Sequence, residues 1–287
     1  MKTDVRKIIV RSLFAASLAL DAGTPAAQTP AAPYAPVVGQ EGKDVVWVPT
    51  PDVMVEKMLD VARVTPDDFV IDLGSGDGRN VIGAAKRGAR ALGVEYNADL
   101  VEYSRRLAAA SGVPGRALFV QGDMYAADIS QASVLALFLL PDNLSKLLPK
   151  FLELKPGTRI VSNTYEIPGW PADASETVRE PSCTAFCIVF FYVVPAKVAG
   201  SWRMPEGDLT LVQDFQRLTG TFDIDGISVP IENGRLNGAE IRFSVNYVEY
   251  AGRIDGDTME GIAKGRTTST AWRGTRVTAG VRSGIKA

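Results

Sequence analysis

Three acidic residues and three glycines carry the chemistry open to this chain. Asp72 stands two positions ahead of the first glycine in Phe69-Val70-Ile71-Asp72-Leu73-Gly74-Ser75-Gly76-Asp77-Gly78. Glu95 follows 23 residues later, and Asp123 lies in Gln121-Gly122-Asp123-Met124. An apolar strand that runs into a glycine turn and then a helix lets backbone approach a ligand closely at a helix N-terminus. The glycines are spaced G-x-G-x-G, not the G-x-G-x-x-G of dinucleotide sites, and no triphosphate loop G-x-x-x-x-G-K-[ST] is present. A carboxylate at position 72 would repel a pyrophosphate but suits a cation. That favours S-adenosylmethionine, whose sulfonium and ammonium are both positive, over NAD or ATP. Glu95, ending a second strand, suits the two ribose hydroxyls. Asp123, after a third strand, suits the adenine amino group. One acidic residue after a strand is ordinary as a cap or turn; three at the ends of successive strand-helix units are not.

The elements that must position these groups are legible in the apolar pattern. Pro49-Thr50-Pro51 is extended, with Thr50 as N-cap and Pro51 as first helical residue; Val55, Met58, Leu59 and Ala62 mark the face of a helix reaching about Arg63. Strands are expected over Phe69–Leu73, Ala89–Val94, Ala117–Val120, Ser133–Leu140 and Arg159–Asn163, with helices between them from Val81, over Leu100–Ala110 and from Pro141. Glu176–Arg179 and Phe186–Val194 complete seven strands as an antiparallel pair at the edge. This alternation is a doubly wound α/β sheet.

Val70-Ile71-Asp72-Leu73-Gly74-Ser75-Gly76-Asp77-Gly78 and its surroundings over 66–123 resemble class I S-adenosylmethionine-dependent methyltransferases. Asp72-Leu73-Gly74-Ser75-Gly76-Asp77-Gly78-Arg79, Gly93-Val94-Glu95-Tyr96-Asn97 and Pro49-Thr50-Pro51 narrow the likeness. They look like the small protein-lysine methyltransferases related to the enzymes that modify the ATP synthase c-subunit. The resemblance covers roughly 46–170. It implies a Rossmann-like seven-stranded sheet, S-adenosyl-L-methionine as cofactor, Gly74 and Gly76 at the methionine moiety, Glu95 at the ribose and Asp123 at the adenine. The candidate cofactor residues are thus Asp72, Gly74, Ser75, Gly76, Glu95, Tyr96, Asp123 and Met124. A protein substrate is implied, with a small-molecule acceptor as the alternative.

Composition fits that chemistry. The 287 residues contain no histidine, which removes Ser-His-Asp triads, Cys-His pairs, histidine zinc sites and histidine bases together. Methyl transfer from a sulfonium is a direct displacement: the cofactor carries the reactivity and the protein aligns and desolvates, so no catalytic base is named. With 31 basic and 33 acidic residues the net charge is −2, and no basic footprint points to nucleic acid. The place of an [DN]-P-P-[YFW] motif reads Leu139-Leu140-Pro141-Asp142, which excludes glutamine, adenine and cytosine acceptors but not lysine. Phe138, Pro141, Tyr165 and Trp170 are candidates for an acceptor lining, although ordinary core or loop packing is the reading preferred for each.

The remaining segments have their own character. Residues 1–27 read as a secretory signal peptide: Lys2, Arg6 and Lys7, then the apolar run Ser12–Leu20, then small residues, with Arg11 and Asp21 as departures from the pattern. Residues 28–44 read as a Pro/Ala-rich linker, 45–195 as the methyltransferase domain and 196–287 as an antiparallel β domain. Export to the periplasm is expected on that basis, and a cytoplasmic location if 1–27 is no signal. S-adenosylmethionine is made in the cytoplasm, so an exported enzyme needs a supply of it. No apolar run is long enough to span a membrane. Cys183 and Cys187 would be about 13 Å apart on a strand, beyond a disulfide's reach, although a turn would let them meet; two small buried hydrophobes is the reading preferred. In the C-terminal region Gly234-Arg235-Leu236-Asn237-Gly238 recurs 18 residues later as Gly252-Arg253-Ile254-Asp255-Gly256. That is hairpin punctuation for about six to eight strands, with Trp202 and Trp272 closing the core. The rival to an enzyme is an exported binding protein whose β domain carries the function; an NAD oxidoreductase is disfavoured by Asp72 and the glycine spacing.

Overall fold

Apolar residues bounded by turns build the central strand, and the rest is arranged around it. The structure is a computed structural model that describes residues 34–277. Residues 1–27, expected to be a signal peptide, and the start of the segment expected to be a linker lie outside the described residues. Helix α1 (Asp52–Val61) leads to β1 (Phe69–Leu73), α2 (Arg79–Lys86), β2 (Arg90–Glu95), α3 (Ala98–Ala110), β3 (Ala117–Gln121), β4 (Val134–Leu137), α4 (Pro141–Phe151), β5 (Arg159–Asn163), β6 (Ala174–Thr177) and β7 (Ile188–Val193). The sheet order is β3-β2-β1-β4-β5-β7-β6. The first five strands are parallel, and β7 runs antiparallel to both β5 and β6. Met54, Met58 and Leu59 of α1 pack with Val81 and Ala84 of α2 on one face. Leu144, Leu147 and Phe151 of α4 cover the other, against Ile71, Leu135 and Ile160.

Local chemistry sets the helix ends. Asn97 caps α3, its side chain accepting from the N–H groups of Asp99 and Leu100. Pro141 opens α4, where its missing N–H costs nothing. The expected Thr50 cap is corrected. Pro51 holds the N-cap position with no side-chain bond, while Thr50 is buried and its carbonyl accepts from Arg79. At the amino end of β1, Asp68 ties three strands together. It accepts from the Thr65 N–H and the Ser133 hydroxyl and pairs with the Arg159 guanidinium.

Nine strands follow: β8 (Gly200–Met204), β9 (Gly207–Asp214), β10 (Arg217–Ile224), β11 (Ile227–Pro230), β12 (Glu232–Asn237), β13 (Glu240–Val245), β14 (Val248–Asp255), β15 (Thr258–Lys264) and β16 (Ser269–Arg276). Every neighbouring pair is antiparallel. β16 pairs with β8, and β9 returns to β10, so eight strands close a barrel and β11 extends from one edge. The strand count therefore exceeds the expected six to eight, because the short β11 reads as part of one hairpin. Asp225-Gly226 and Asn246-Tyr247 form two-residue turns with both φ values positive, the geometry that suits twisted hairpins. The interior is filled by side chains, among them Trp202, Phe222, Phe243 and Trp272.

Two turns of the barrel meet the α/β domain: that at 238–239 lies against Pro156-Gly157, with Arg235 pairing Asp173, and that at 215–216 is the aromatic contact. Phe215, between β9 and β10, stacks on Trp170 at 5.6 Å and 8°, and the Trp170 indole N–H donates to Gln216 Oε1 at 3.0 Å. Trp170 is thus a junction residue, not part of an acceptor lining: its ring is buried by the barrel turn.

Candidate active site

The cleft lies where the sheet order reverses, at the carboxyl ends of β1, β2 and β4. Gly74, Gly76 and Gly78 all hold positive φ, and Gly78 starts α2. The N–H groups of Gly74 and Ser75 donate to the Val94 carbonyl at 2.8 and 3.1 Å. Glu95 receives the Gly76 N–H on one carboxylate oxygen and the Asn97 N–H on the other, both at 2.9 Å. Each oxygen keeps a second lone pair for a hydroxyl donor.

Asp72 is fully enclosed, and its one hydrogen bond comes from the Asn80 amide at 3.1 Å. Burial drives its carboxyl well above the ordinary range; the Asn80 bond opposes this, while the charges of Glu95 and Asp77 add to it. Beside it, Ser75 Oγ and Asn80 Oδ1 are buried without partners. A carboxylate and two unpaired oxygens form an acceptor-rich cluster, which a multi-donor cation such as an ammonium satisfies. The residues therefore fit the charged methionine end of the cofactor.

Residues 41–48 roof the cleft. This corrects the linker assignment of 34–44: Trp47 exchanges backbone hydrogen bonds with Gly39 and Gln40, and Gln40 donates to the Tyr34 hydroxyl at 2.7 Å. The Trp47 indole covers Gly76 so closely that a Cβ there would stand 2.5 Å from Nε1. Lys43 donates to Asp123 Oδ2 at 2.7 Å and sits 5.1 Å from the Tyr96 ring centre. That bond raises the Lys43 pKa and lowers the Asp123 pKa.

All eight sequence-predicted residues line this cleft. Gly74, Glu95, Tyr96, Asp123 and Met124 surround its wider cavity, and Asp72, Gly74, Ser75 and Gly76 its narrower one. Trp47, Val48, Gly74 and Phe138 belong to both. Sequence reasoning missed Lys43, Trp47 and Asn80. The only signal was the apolar run Val45-Val46-Trp47-Val48, which resembles a short strand and gives no hint of what it covers. Among the acceptor candidates, Phe138 lines the cleft and Tyr165 stacks on it at 6.4 Å and 18°. Pro141 lines neither cavity, because it is spent on starting α4.

Cys183 and Cys187 form a disulfide, which corrects the reading of two unbonded hydrophobes. The chain turns at 181–182 and β7 begins only at Ile188, so their Cα atoms come to 5.9 Å instead of strand spacing. No group of three or more His, Cys, Asp or Glu placed to hold a metal occurs among the described residues.

The family model and the curated relatives agree on the family. Residues 72–174 match the model of the ANTKMT methyltransferase domain. A protein-lysine N-methyltransferase of Saccharolobus islandicus is 42% identical over 153 residues, 52% of this chain and 94% of that protein. The human lysine N-methyltransferase of the ATP synthase c-subunit is 35% identical over 151 residues, again 52% of this chain but 59% of that one. A crystal structure described as an RNA methyltransferase from Salinibacter ruber in complex with S-adenosyl-L-homocysteine shares 40% identity, with a TM-score of 0.49. It covers 53% of this chain and 96% of that one. The family match ends at residue 174, ahead of the barrel. With the archaeal relative matched over nearly its whole length, this chain belongs to the class I S-adenosylmethionine-dependent protein-lysine methyltransferases.

Proposed function

We propose that this enzyme methylates the side-chain amine of a lysine in a protein. One observation carries the acceptor class: the cleft wall beyond Gly74 is Phe138 with Tyr165 stacked on it, where amide- and base-modifying enzymes need the polar [DN]-P-P-[YFW] turn. An aromatic wall accommodates an alkyl chain and attracts its ammonium head. The names of the relatives point the same way.

When bound, S-adenosylmethionine supplies an electrophilic methyl group on a sulfonium. Asp72, Ser75 and Asn80 would hold its ammonium, Gly74 and Gly76 would let the methionine chain lie against backbone, Glu95 would accept from the ribose hydroxyls, and Asp123 with Tyr96 and Met124 would take the adenine. Trp47 and Val48 exclude water from above. Desolvation in the closed cleft lowers the acceptor amine's pKa, so the amine gives its proton to solvent on entry and meets the methyl group with a free lone pair and no dedicated base.

Incubating the full-length protein with methyl-labelled S-adenosylmethionine and extracts of its source cells tests this. Label recovered as methyl-lysine after acid hydrolysis supports the reading. Label in nucleic acid or small molecules, or none from a protein that binds the cofactor, overturns it. We further propose that the chain is exported. The pattern of residues 1–27 and the Cys183–Cys187 bond both support an oxidising compartment. A fusion of residues 1–44 to a phosphatase that is active only after export should be active.

A further inference from the structure

The aromatic wall extends beyond β4 and β5. The Phe138 ring also meets Phe186, 5.1 Å between centroids at 60°. Phe186 belongs to no strand. It lies two residues before β7 with φ +60, a left-handed conformation rarely adopted by an aromatic residue and kept only where the surroundings hold it. Two restraints do so. The Cys183–Cys187 bond closes the five-residue loop that carries Phe186, and Ile188 is held on the far side by the Thr164 N–H, which donates to its carbonyl at 2.7 Å.

Asn163, two residues ahead of Tyr165, carries an unsatisfied buried amide. It follows Ser162, the strand partner of Leu137, just as Phe138 follows Leu137. Its side chain is wholly buried, Oδ1 accepts from the Thr164 hydroxyl, and Nδ2 has no partner. An asparagine amide can present either end. Turned over, it would donate to Thr164 Oγ1 and offer its carbonyl oxygen to an incoming amine.

We propose that Phe138, Tyr165 and Phe186 wall the pocket for the acceptor amine, that Asn163 is its polar contact, and that the Cys183–Cys187 disulfide positions Phe186. This rests on the lysine reading and deepens it. The three rings provide apolar surface for the methylene chain and π faces for the methylammonium product, which must release a proton to solvent before any further transfer. The cysteines are positioning residues, because they act only through Phe186.

The test uses the full-length oxidised protein and two probes. One is S-adenosylhomocysteine. The other is its analogue with nitrogen in place of sulfur, carrying a butylaminoethyl arm where the methyl would stand. The gain in affinity of the second over the first combines the new cationic nitrogen with the arm, and its change between variants of the pocket reads the amine pocket. We expect a gain of about tenfold or more in the wild type, largely lost in Phe186→Ala and in Cys183→Ser/Cys187→Ser and kept in Phe186→Tyr. Affinity for S-adenosylhomocysteine should stay within about twofold in all of them, which also reports an intact fold. Phe186→Leu preserves apolar bulk and should lose an intermediate share. A gain untouched in both Phe186→Ala and Phe186→Leu overturns the pocket while leaving the lysine reading in place. No gain in the wild type overturns both. A gain lost in Phe186→Ala but kept in the double serine variant overturns the role of the disulfide.

Discussion

The two ends of β1 carry the same residue type in opposite states. Asp68, at the amino end, is buried at 6% exposure; burial alone would raise its carboxyl, but Thr65, Ser133 and Arg159 hold it below the ordinary range. Asp72, at the carboxyl end, is buried at 3% exposure with one neutral donor, and its carboxyl is pushed well up. Folding satisfies the first carboxylate, and the second is left for a ligand. Burying a carboxyl with one neutral donor opposes stability, and a group with so perturbed a pKa in a cleft is a candidate for function. The other end of the sheet uses its aspartate as mortar.

The widest separation between the two ends should come from removing Asp68. Asp68→Ala removes the acceptor shared by the Thr65 N–H, the Ser133 hydroxyl and the Arg159 guanidinium and should cost about 1–3 kcal/mol in denaturant unfolding. Cofactor affinity of the remaining folded protein should change less than about twofold. If affinity fell in step with stability, the two ends would not be independent. Asp72→Asn should do the reverse: calorimetric affinity for S-adenosylmethionine falls about 100-fold, worth about 2.7 kcal/mol, while the midpoint of thermal unfolding does not drop.

Their pH dependences should have opposite signs. Asp68, with its folded pKa lowered, contributes stability that is present above the unfolded carboxylate value and lost as pH falls through the folded one. Asp72, with its folded pKa raised, favours the fold most below the unfolded value, and that contribution disappears as pH rises through the folded one. A cationic ligand prefers ionised Asp72, so binding should release a proton. Affinity should then rise with pH above the ordinary carboxylate range, by at most about tenfold per pH unit, until the raised pKa is passed. Titration in buffers of different ionisation enthalpy detects the proton, and a flat profile would remove Asp72 from the site.

Smaller effects sharpen the cleft itself. Gly76→Ala forces a Cβ against Trp47 at a positive φ and should lower cofactor affinity about fivefold to tenfold. Asp123→Ala should cost about twofold to fivefold, because this carboxylate is solvated and already shared with Lys43.

Much of the sheet was legible because its signals are local. β1 and β5 begin and end where the apolar runs and flanking turns place them, Phe69–Leu73 and Arg159–Asn163. Asp72, Glu95 and Asp123 gather in one cleft because parallel strands put their carboxyl ends side by side, so spacing along the chain becomes proximity in space. The roof was not legible. Val45-Val46-Trp47-Val48 has the same local character whether it crosses a cleft or extends a sheet, and its contact with Gly76 spans some thirty residues. Trp170 misled for the same reason: its partner, Phe215, is 45 residues away on a barrel turn.

By itself, the sequence determined the strand-helix alternation, the glycine turn, the acidic residues at strand ends and the absence of histidine chemistry. All of these are set within a few residues or by composition. Tertiary structure alone decided that β16 meets β8 and β9 meets β10 to close a barrel, that Cys183 meets Cys187 across a turn, that Lys43 pairs with Asp123, and that Asp68 is satisfied where Asp72 is not. Most of these join residues far apart along the chain, where the closure entropy is recovered only once the whole fold is in place.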